Sequence, residues 1–328
     1  MPSRTRLKNA PPLAEHRAAF KVNLPRPTDF AACVSRYTAF GRDEANRIDS
    51  AAALHFVRVI DDARYLVRVS ASGSREVPAA RVKVLGTAPT SRPVLKRLRE
   101  EVLWRLGAGF DLPGFYRAAG RDARLAPMLK AFRGYRPPLT VDPFESLVTS
   151  ITAQQINLAF AFTTRSRLVR AYGPAVETPE GERYHAFPRP EDLARVRESS
   201  LRAMQFSGVK TRAVLGLARE ARRGNVPFDA IGGWEDARVH DCLTGLYGIG
   251  RWTVDWFLSR SLGRADAWPA GDLAVRKAVS WFYFDRKDQS EETVRAFGER
   301  FGAHRNLAAH YLLTGWMREK TAPRLRKP

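Results

Sequence analysis

Cysteine is nearly missing from this chain: Cys33 and Cys242 are the only two in 328 residues. Two thiols cannot ligate a four-cysteine iron–sulfur cluster or zinc ribbon, and a single disulfide between them is not expected in a cytosolic chain. The six histidines (His16, His55, His185, His240, His304 and His310) make no His-x-x-x-His pair, and there is no Cys-x-x-Cys, so no transition-metal cofactor is expected. Long apolar runs are absent as well. Nothing approaches the roughly 18 residues that a membrane-spanning helix needs, so no membrane partner is expected. Residues 1–12 are basic and polar without an apolar stretch, which argues against a secretory signal and points to the cytoplasm, on the nucleoid if the source is bacterial. Low-complexity sequence is confined to that head and to the tail 321–328. The last scarcity is acidic charge, with 34 Asp and Glu against 55 Lys and Arg.

What is present is a chain with 44% apolar and 10% aromatic residues, enough to bury a sizeable core and too long for one small module. The net charge of +21 and a pI near 10.7 call for an acidic partner, of which nucleic acid is the commonest. Arginine-rich codon usage would produce the same excess, so charge alone does not decide.

Strand signals fill the first hundred residues. Segments 20–24, 54–60, 65–69 and 82–85 alternate or cluster β-branched residues, Asp61-Asp62 stands where a hairpin turn belongs, and 29–37 reads as an intervening helix. After Pro89 the period becomes helical. Residues 91–106 carry Val94, Leu95, Leu98, Val102 and Leu106 on one stripe. Asp142-Pro143-x-Glu145 then supplies an N-cap, a first-turn proline and an acidic third position. From there helices are predicted near 143–153, 157–171, 191–196, 199–206, 209–223, 234–246, 251–262, 272–284, 290–301 and 304–318. The expected fold is α+β: a head at 1–14, a small antiparallel sheet domain with a helix at 15–88, an all-α region at 89–320 and a tail at 321–328.

The most informative stretch is Leu246-Tyr247-Gly248-Ile249-Gly250-Arg251-Trp252-Thr253. One helix ends at Leu246 and the next starts at Arg251, with two glycines permitting the turn between them. Amides of Gly248 and Gly250 left unpaired at a helix N-terminus can hold a phosphate, with Arg251 adding charge beside them. A glycine C-cap followed by another helix would look the same. Further on comes Trp268-Pro269-Ala270-Gly271-Asp272, a Pro/Gly loop whose Asp272 opens the next helix. As a bare residue, Asp272 could be only an N-cap.

This pairing of a glycine hairpin with a Gly/Pro loop and an aspartate resembles the helix-hairpin-helix DNA glycosylase superfamily. With the N-terminal sheet, residues 15–320 are similar to the AlkA-type 3-methyladenine DNA glycosylase II enzymes. The resemblance implies two helical subdomains, with the hairpin near 234–262 and the catalytic loop at 264–272. It implies a monofunctional enzyme on double-stranded DNA with damaged bases: an alkylated purine is flipped out and its N-glycosidic bond is hydrolysed by water. The family's catalytic carboxylate falls on Asp272, where it can stabilise positive charge on the sugar. Aromatics that hold the base fall on Trp252 and Trp256, one helical turn apart. The side chain filling the vacated stack falls on Gln155 with Ile156, in the segment where Gln154-Gln155 interrupts two helices. Phosphate contacts fall on Gly248, Gly250, Arg251 and Thr253. A monovalent cation, Na+ or K+, is implied at the backbone of Thr244, Leu246 and Ile249; no other cofactor is required, and a monomer is expected. The lysine of bifunctional glycosylase/lyases is replaced by Trp252, and neither Lys210 nor Lys277 matches its position. A bifunctional oxidised-base lyase and a non-catalytic hairpin DNA-binding protein remain the alternatives. Trp268, Trp281 and Trp316 read as core, and Arg276, Arg305 and Lys210 as further phosphate contacts.

If the charge serves duplex binding, affinity measured by fluorescence anisotropy should fall steeply between low and physiological salt. A flat response would return the excess to codon usage.

Overall fold

The structure, a computed structural model, describes Leu13 and residues 16–321. The predicted head, Leu13 apart, and the tail from residue 322 lie outside the described residues. Strands β1 (His16–Asn23), β2 (Asn46–Ile48), β3 (Leu54–Ile60), β4 (Ala63–Ala71) and β5 (Ala79–Gly86) form one antiparallel sheet in the order β1-β5-β4-β3-β2. Asp61 and Asp62 do make the β3–β4 turn, both at positive φ (48° and 62°), the twist that suits a two-residue hairpin. The predicted 29–37 helix is a short α1 (Phe30–Val34), capped by the Asp29 carboxylate and followed by one 3-10 turn. With α2 (Arg92–Arg105), it covers one face of the sheet through Phe30, Val34, Leu98 and Val102 against Phe56, Val67 and Val82.

The helical region comprises α3 (Leu112–Ala119), α4 (Ala126–Ala131), α5 (Pro143–Ala153), α6 (Leu158–Tyr172), α7 (Pro190–Leu193), α8 (Glu198–Ala203), α9 (Gly208–Arg222), α10 (Phe228–Ile231), α11 (Asp236–Thr244), α12 (Arg251–Arg260), α13 (Leu273–Tyr283), α14 (Glu291–Gly298) and α15 (Arg305–Thr321). Three of these, α3, α4 and α10, were not foreseen. For α3 the signal was present, because Asp111 and Pro113 repeat the cap-and-proline start of α5. Also unforeseen is a hairpin of two three-residue strands, β6 (Ala175–Glu177) and β7 (Arg183–His185). It lays Val176 and Tyr184 on the second face of the sheet, against Val57 and Leu66, which is why β3 is buried on both sides.

The helices bury two cores. One gathers α5, α6, α9 and α11 around Leu147, Leu168, Val214 and Leu243. The other, discontinuous in sequence, joins Leu112, Phe115 and Leu129 to Val279, Tyr311 and Leu312. Helix α12 belongs to both, with Val254 and Phe257 in the first and Trp252 and Trp256 in the second.

Sheet domain and helices are joined by buried charge. Arg165 on α6, only 2% exposed, forks between the carboxylates of Asp43 and Glu145. Asn46 donates to Glu145 at 3.1 Å and accepts from Arg105 at 2.7 Å, and Arg105 is paired in turn with Glu101 at 2.8 Å. Removing one member would strand the others away from water. Arg165→Leu is therefore expected to cost about 3–5 kcal/mol, read as a lowered urea midpoint, whereas Arg165→Lys should lose less. A variant as stable as the parent would mean that water reaches these carboxylates.

Candidate active site

Asp272 is the N-cap of α13, and both of its carboxylate oxygens are held. Oδ1 accepts the amides of Ala274 and Val275 at 2.8 and 3.1 Å. Oδ2 accepts two indole N–H groups, from Trp252 at 2.9 Å and Trp256 at 3.0 Å. The 252–256 spacing puts both indoles on one face of α12, and that face meets the loop carrying Asp272. The loop is tied down by Trp268, whose Nε1 donates to Val294 O at 2.8 Å, and by the Asp272 amide donating to Pro269 O at 3.0 Å. An aspartate whose two oxygens accept four N–H groups is held in one orientation.

Of the two tryptophans, Trp252 is half-buried and reaches the surface beside Asp272. Trp256 occupies a different place from the one expected. It is 3% exposed, carries the Arg260 guanidinium 3.4 Å from its ring centre, and meets His310 edge-on. Its contribution in this state is the hydrogen bond to the carboxylate rather than a free stacking face.

At the hairpin, Gly248 needs to be glycine: φ is +78°, and a Cβ would lie 2.6 Å from the Cβ of Ala213 on α9. Gly250 differs from the expectation. Its backbone is extended (φ −108°, ψ 178°), which any residue adopts, and nothing lies within 4 Å of where a Cβ would stand. What its missing side chain provides is open space before the N-terminus of α12. No side chain caps that helix, and among the described residues the amides of Gly248, Gly250, Arg251 and Trp252 have no acceptor. Arg251 is exposed beside them. Thr253 corrects the sequence reading: it is 1% exposed, its amide donates to Gly250 O at 2.9 Å, and its hydroxyl accepts from Gln154 at 3.1 Å. It braces the turn and cannot face a phosphate.

Gln154 also donates to Gly248 O at 2.9 Å, linking the α5–α6 junction to the hairpin. That link leaves Gln155, in the left-handed region at φ +52°, and Ile156 projecting into solvent. Lys210 is half-buried and donates to Thr152 O at 2.8 Å. Arg305 pairs with Glu299 and Asp266. Trp268 is core, as expected, whereas Trp281 and Trp316 are only half-buried, beneath Arg286 and Lys320.

Residues that the sequence did not suggest complete the site. Arg36, from the sheet domain, and Arg260, at the end of α12, line one cavity with Pro138, Thr140 and Phe162. Burial lowers both guanidinium pKa values, repulsion from Arg36 lowers that of Arg260 further, and the Asp272 charge partly opposes both shifts. Burial, then repulsion from Arg260 and Arg36, holds His310 well below the ordinary histidine range. Arg260 had a signal, since it continues the four-residue stripe of Trp252 and Trp256. Arg36 and His310 had none.

The fold and this arrangement define a helix-hairpin-helix protein with an aspartate fixed by two indoles and by the N-terminus of α13. Residues 148–303 match the HhH-GPD superfamily base excision DNA repair protein family. The chain is 30% identical over 227 residues to a DNA-3-methyladenine glycosylase of Bacillus subtilis, covering 68% of this chain and 73% of that one. It is 34% identical over 169 residues to a probable bifunctional transcriptional activator/DNA repair enzyme AlkA of Mycobacterium tuberculosis, covering 52% of this chain and 33% of that one. A 3-methyladenine DNA-glycosylase from Archaeoglobus fulgidus superposes with a TM-score of 0.79 at 25% identity, over 93% of this chain and 100% of that one. The chain belongs to the HhH-GPD superfamily of base excision DNA repair proteins. Within it, the chain is a DNA glycosylase of the AlkA type.

His310 gives this site a pH signature. Its folded pKa is depressed, so below the ordinary histidine value of about 6.5 the unfolded chain takes up a proton that the folded chain does not. Stability is full above that value and falls as pH drops below it. Urea midpoints at about pH 7.5 and about pH 5.5 should differ accordingly, and His310→Asn should narrow the gap. An unchanged gap in the variant would assign the loss to other groups.

Proposed function

We propose that this enzyme is a monofunctional glycosylase that flips an alkylated purine of the 3-methyladenine type out of duplex DNA. It then hydrolyses the N-glycosidic bond with water and leaves an abasic site. The carrying observation is the carboxylate of Asp272, fixed by two backbone amides and two indoles. Breaking the bond builds positive charge on the deoxyribose, and a carboxylate already in place stabilises that charge without reorganising. With all four acceptor positions occupied, Asp272 supports an electrostatic role better than proton abstraction, which would require an indole to let go. The aromatic ring at position 252, where a Schiff-base amine would have to stand, favours water as the nucleophile.

The remaining parts follow from the surface. The open amides at Gly248, Gly250 and Arg251, with the Arg251 charge, suit a DNA phosphate. Gln155 and Ile156 project from a junction anchored to that hairpin, in position to fill the space a flipped nucleotide leaves. Half-buried Trp252 offers a ring beside the carboxylate for an electron-poor base. The carbonyls of Thr244 and Ile249 accept no backbone N–H among the described residues, and Leu246 O accepts one, from Ile249 at 3.2 Å. Such oxygen donors suit a Na+ or K+ ion, which would add positive charge beside the phosphate. No helix among the described residues is long and apolar enough to cross a membrane. We place the enzyme in the cytoplasm as a monomer.

Asp272→Asn keeps the cap geometry but removes the charge, and should slow base release from methylated duplex by about 10²–10³-fold. Full activity in this variant would refute the assignment, and a borohydride-trapped enzyme–DNA adduct would refute the monofunctional reading.

A further inference from the structure

Where the sheet domain meets the ends of α6 and α9, the chain encloses a cavity of about 760 Å³ lined by arginine. Arg64 reaches it from β4, Arg183 from β7, Arg189 and Arg195 from either side of α7, and Arg222 from the end of α9. Arg64 is fixed by its Nη1, which donates to Ala175 O at 2.7 Å. Arg183 pairs with Glu177 at 3.3 Å, and Arg189 with Asp192 at 3.3 Å and Asp62 at 3.7 Å. The exposed side chains of Arg195 and Arg222 have neither a hydrogen bond nor an ion pair among the described residues. His185, also in the lining, is held below the ordinary histidine range by burial, so the positive charge is that of the arginines alone.

Helices α6 and α9 separate this cavity from the hairpin. Both begin on the hairpin side: Leu158 follows Gln155 and Ile156, Lys210 donates to Thr152 O, and Ala213 packs under Gly248. Both end at the cavity, with Tyr172 and Arg222, which at 1.5 Å per residue is roughly 21 Å further on. Five guanidiniums therefore converge at a place that the hairpin phosphate does not occupy. Two carboxylates share the lining, Glu191 and Asp192, and Asp192 is taken up by the amide and Nε of Arg189 at 2.9 and 3.3 Å. One guanidinium fork, or two, satisfies a lone phosphate or carboxylate, so an array spread around a cavity matches an anion with several such groups. The volume lies within the range of about 300–1,000 Å³ of small-molecule sites. A duplex presents its phosphates on a convex surface, whereas these arginines line a concavity. We propose that the cavity binds a small anion carrying two or more phosphate groups. Arg195 and Arg222 are its unpaired donors, and Arg64, Arg183 and Arg189 complete the positive wall. An inorganic phosphate chain and a nucleoside polyphosphate share this chemistry. The site stands apart from Asp272 and does not rest on the glycosylase reading.

The test is calorimetric titration of the full chain with inorganic tripolyphosphate at physiological salt, with and without saturating undamaged duplex. One equivalent should bind in both conditions. Arg195→Gln and Arg222→Gln should each weaken binding by about tenfold. Arg117→Gln, which removes the same charge from the exposed face of α3, should leave it unchanged. A parallel titration with ATP distinguishes the two sources, since tighter binding than tripolyphosphate supports a nucleoside polyphosphate and weaker binding an inorganic chain. Displacement of tripolyphosphate by the duplex would overturn the proposal and make the cavity part of the DNA surface. Equal weakening by Arg117→Gln would overturn it by reducing the effect to net charge, and so would the absence of binding.

Discussion

The fork of Arg165 between Asp43 and Glu145 is the contact on which the rest of the molecule depends. It joins α6, α5 and the chain leading into β2 at a point closed to water, where a charge is tolerable only with partners. Through Asn46 the same network reaches Arg105 and Glu101 on α2, so the sheet domain is held by its charges as well as by the β6–β7 hairpin on its far face. One consequence is local to the active site. The segment that carries Asp43 also carries Arg36, so the network that joins the domains brings an arginine from the sheet domain into the cavity that Arg260 of α12 also lines.

Helix α12 is the second organising element. Its Val254 and Phe257 are buried in one helical core, and its tryptophans face the other. Its N-terminus is the open end of the hairpin and its C-terminus is Arg260. Phosphate amides, the indoles that hold the carboxylate and the pocket charge are therefore spaced along a single rigid rod. In the functional reading, seating of the hairpin on a phosphate and placement of Asp272 beside a sugar are one geometric event, because a helix transmits position between its ends with little give.

Much of the site was legible where the relevant chemistry is local. The Asp142 and Asp272 caps, the break at Gln154-Gln155, the positive φ at Gly248 and the one-turn spacing of Trp252 and Trp256 all arise from contacts within a few residues, so the pattern and the geometry coincide. Thr253 and Trp256 were read less well. Their positions on α12 follow from periodicity, but whether a position is open or covered depends on what packs over it. Gln154 covers Thr253, and Arg260 with His310 covers Trp256. Short elements were missed for a related reason: three-residue strands and four-residue helices hold too few side chains to show a period.

The sequence by itself determined the alternation that makes a sheet followed by helices, the glycine hairpin, and the distance along the chain from that hairpin to Asp272. Each is encoded in neighbouring residues through backbone sterics, capping and hydrophobic period. Only the tertiary structure decided that both indole N–H groups converge on one oxygen of Asp272, that Thr253 is closed off, and that Arg36 and Arg260 share a cavity. Those facts depend on which distant segments pack together. That packing is settled by the summed burial of whole cores and by the pairing of buried charges such as Arg165, neither of which leaves a periodic mark on the residues it brings into contact.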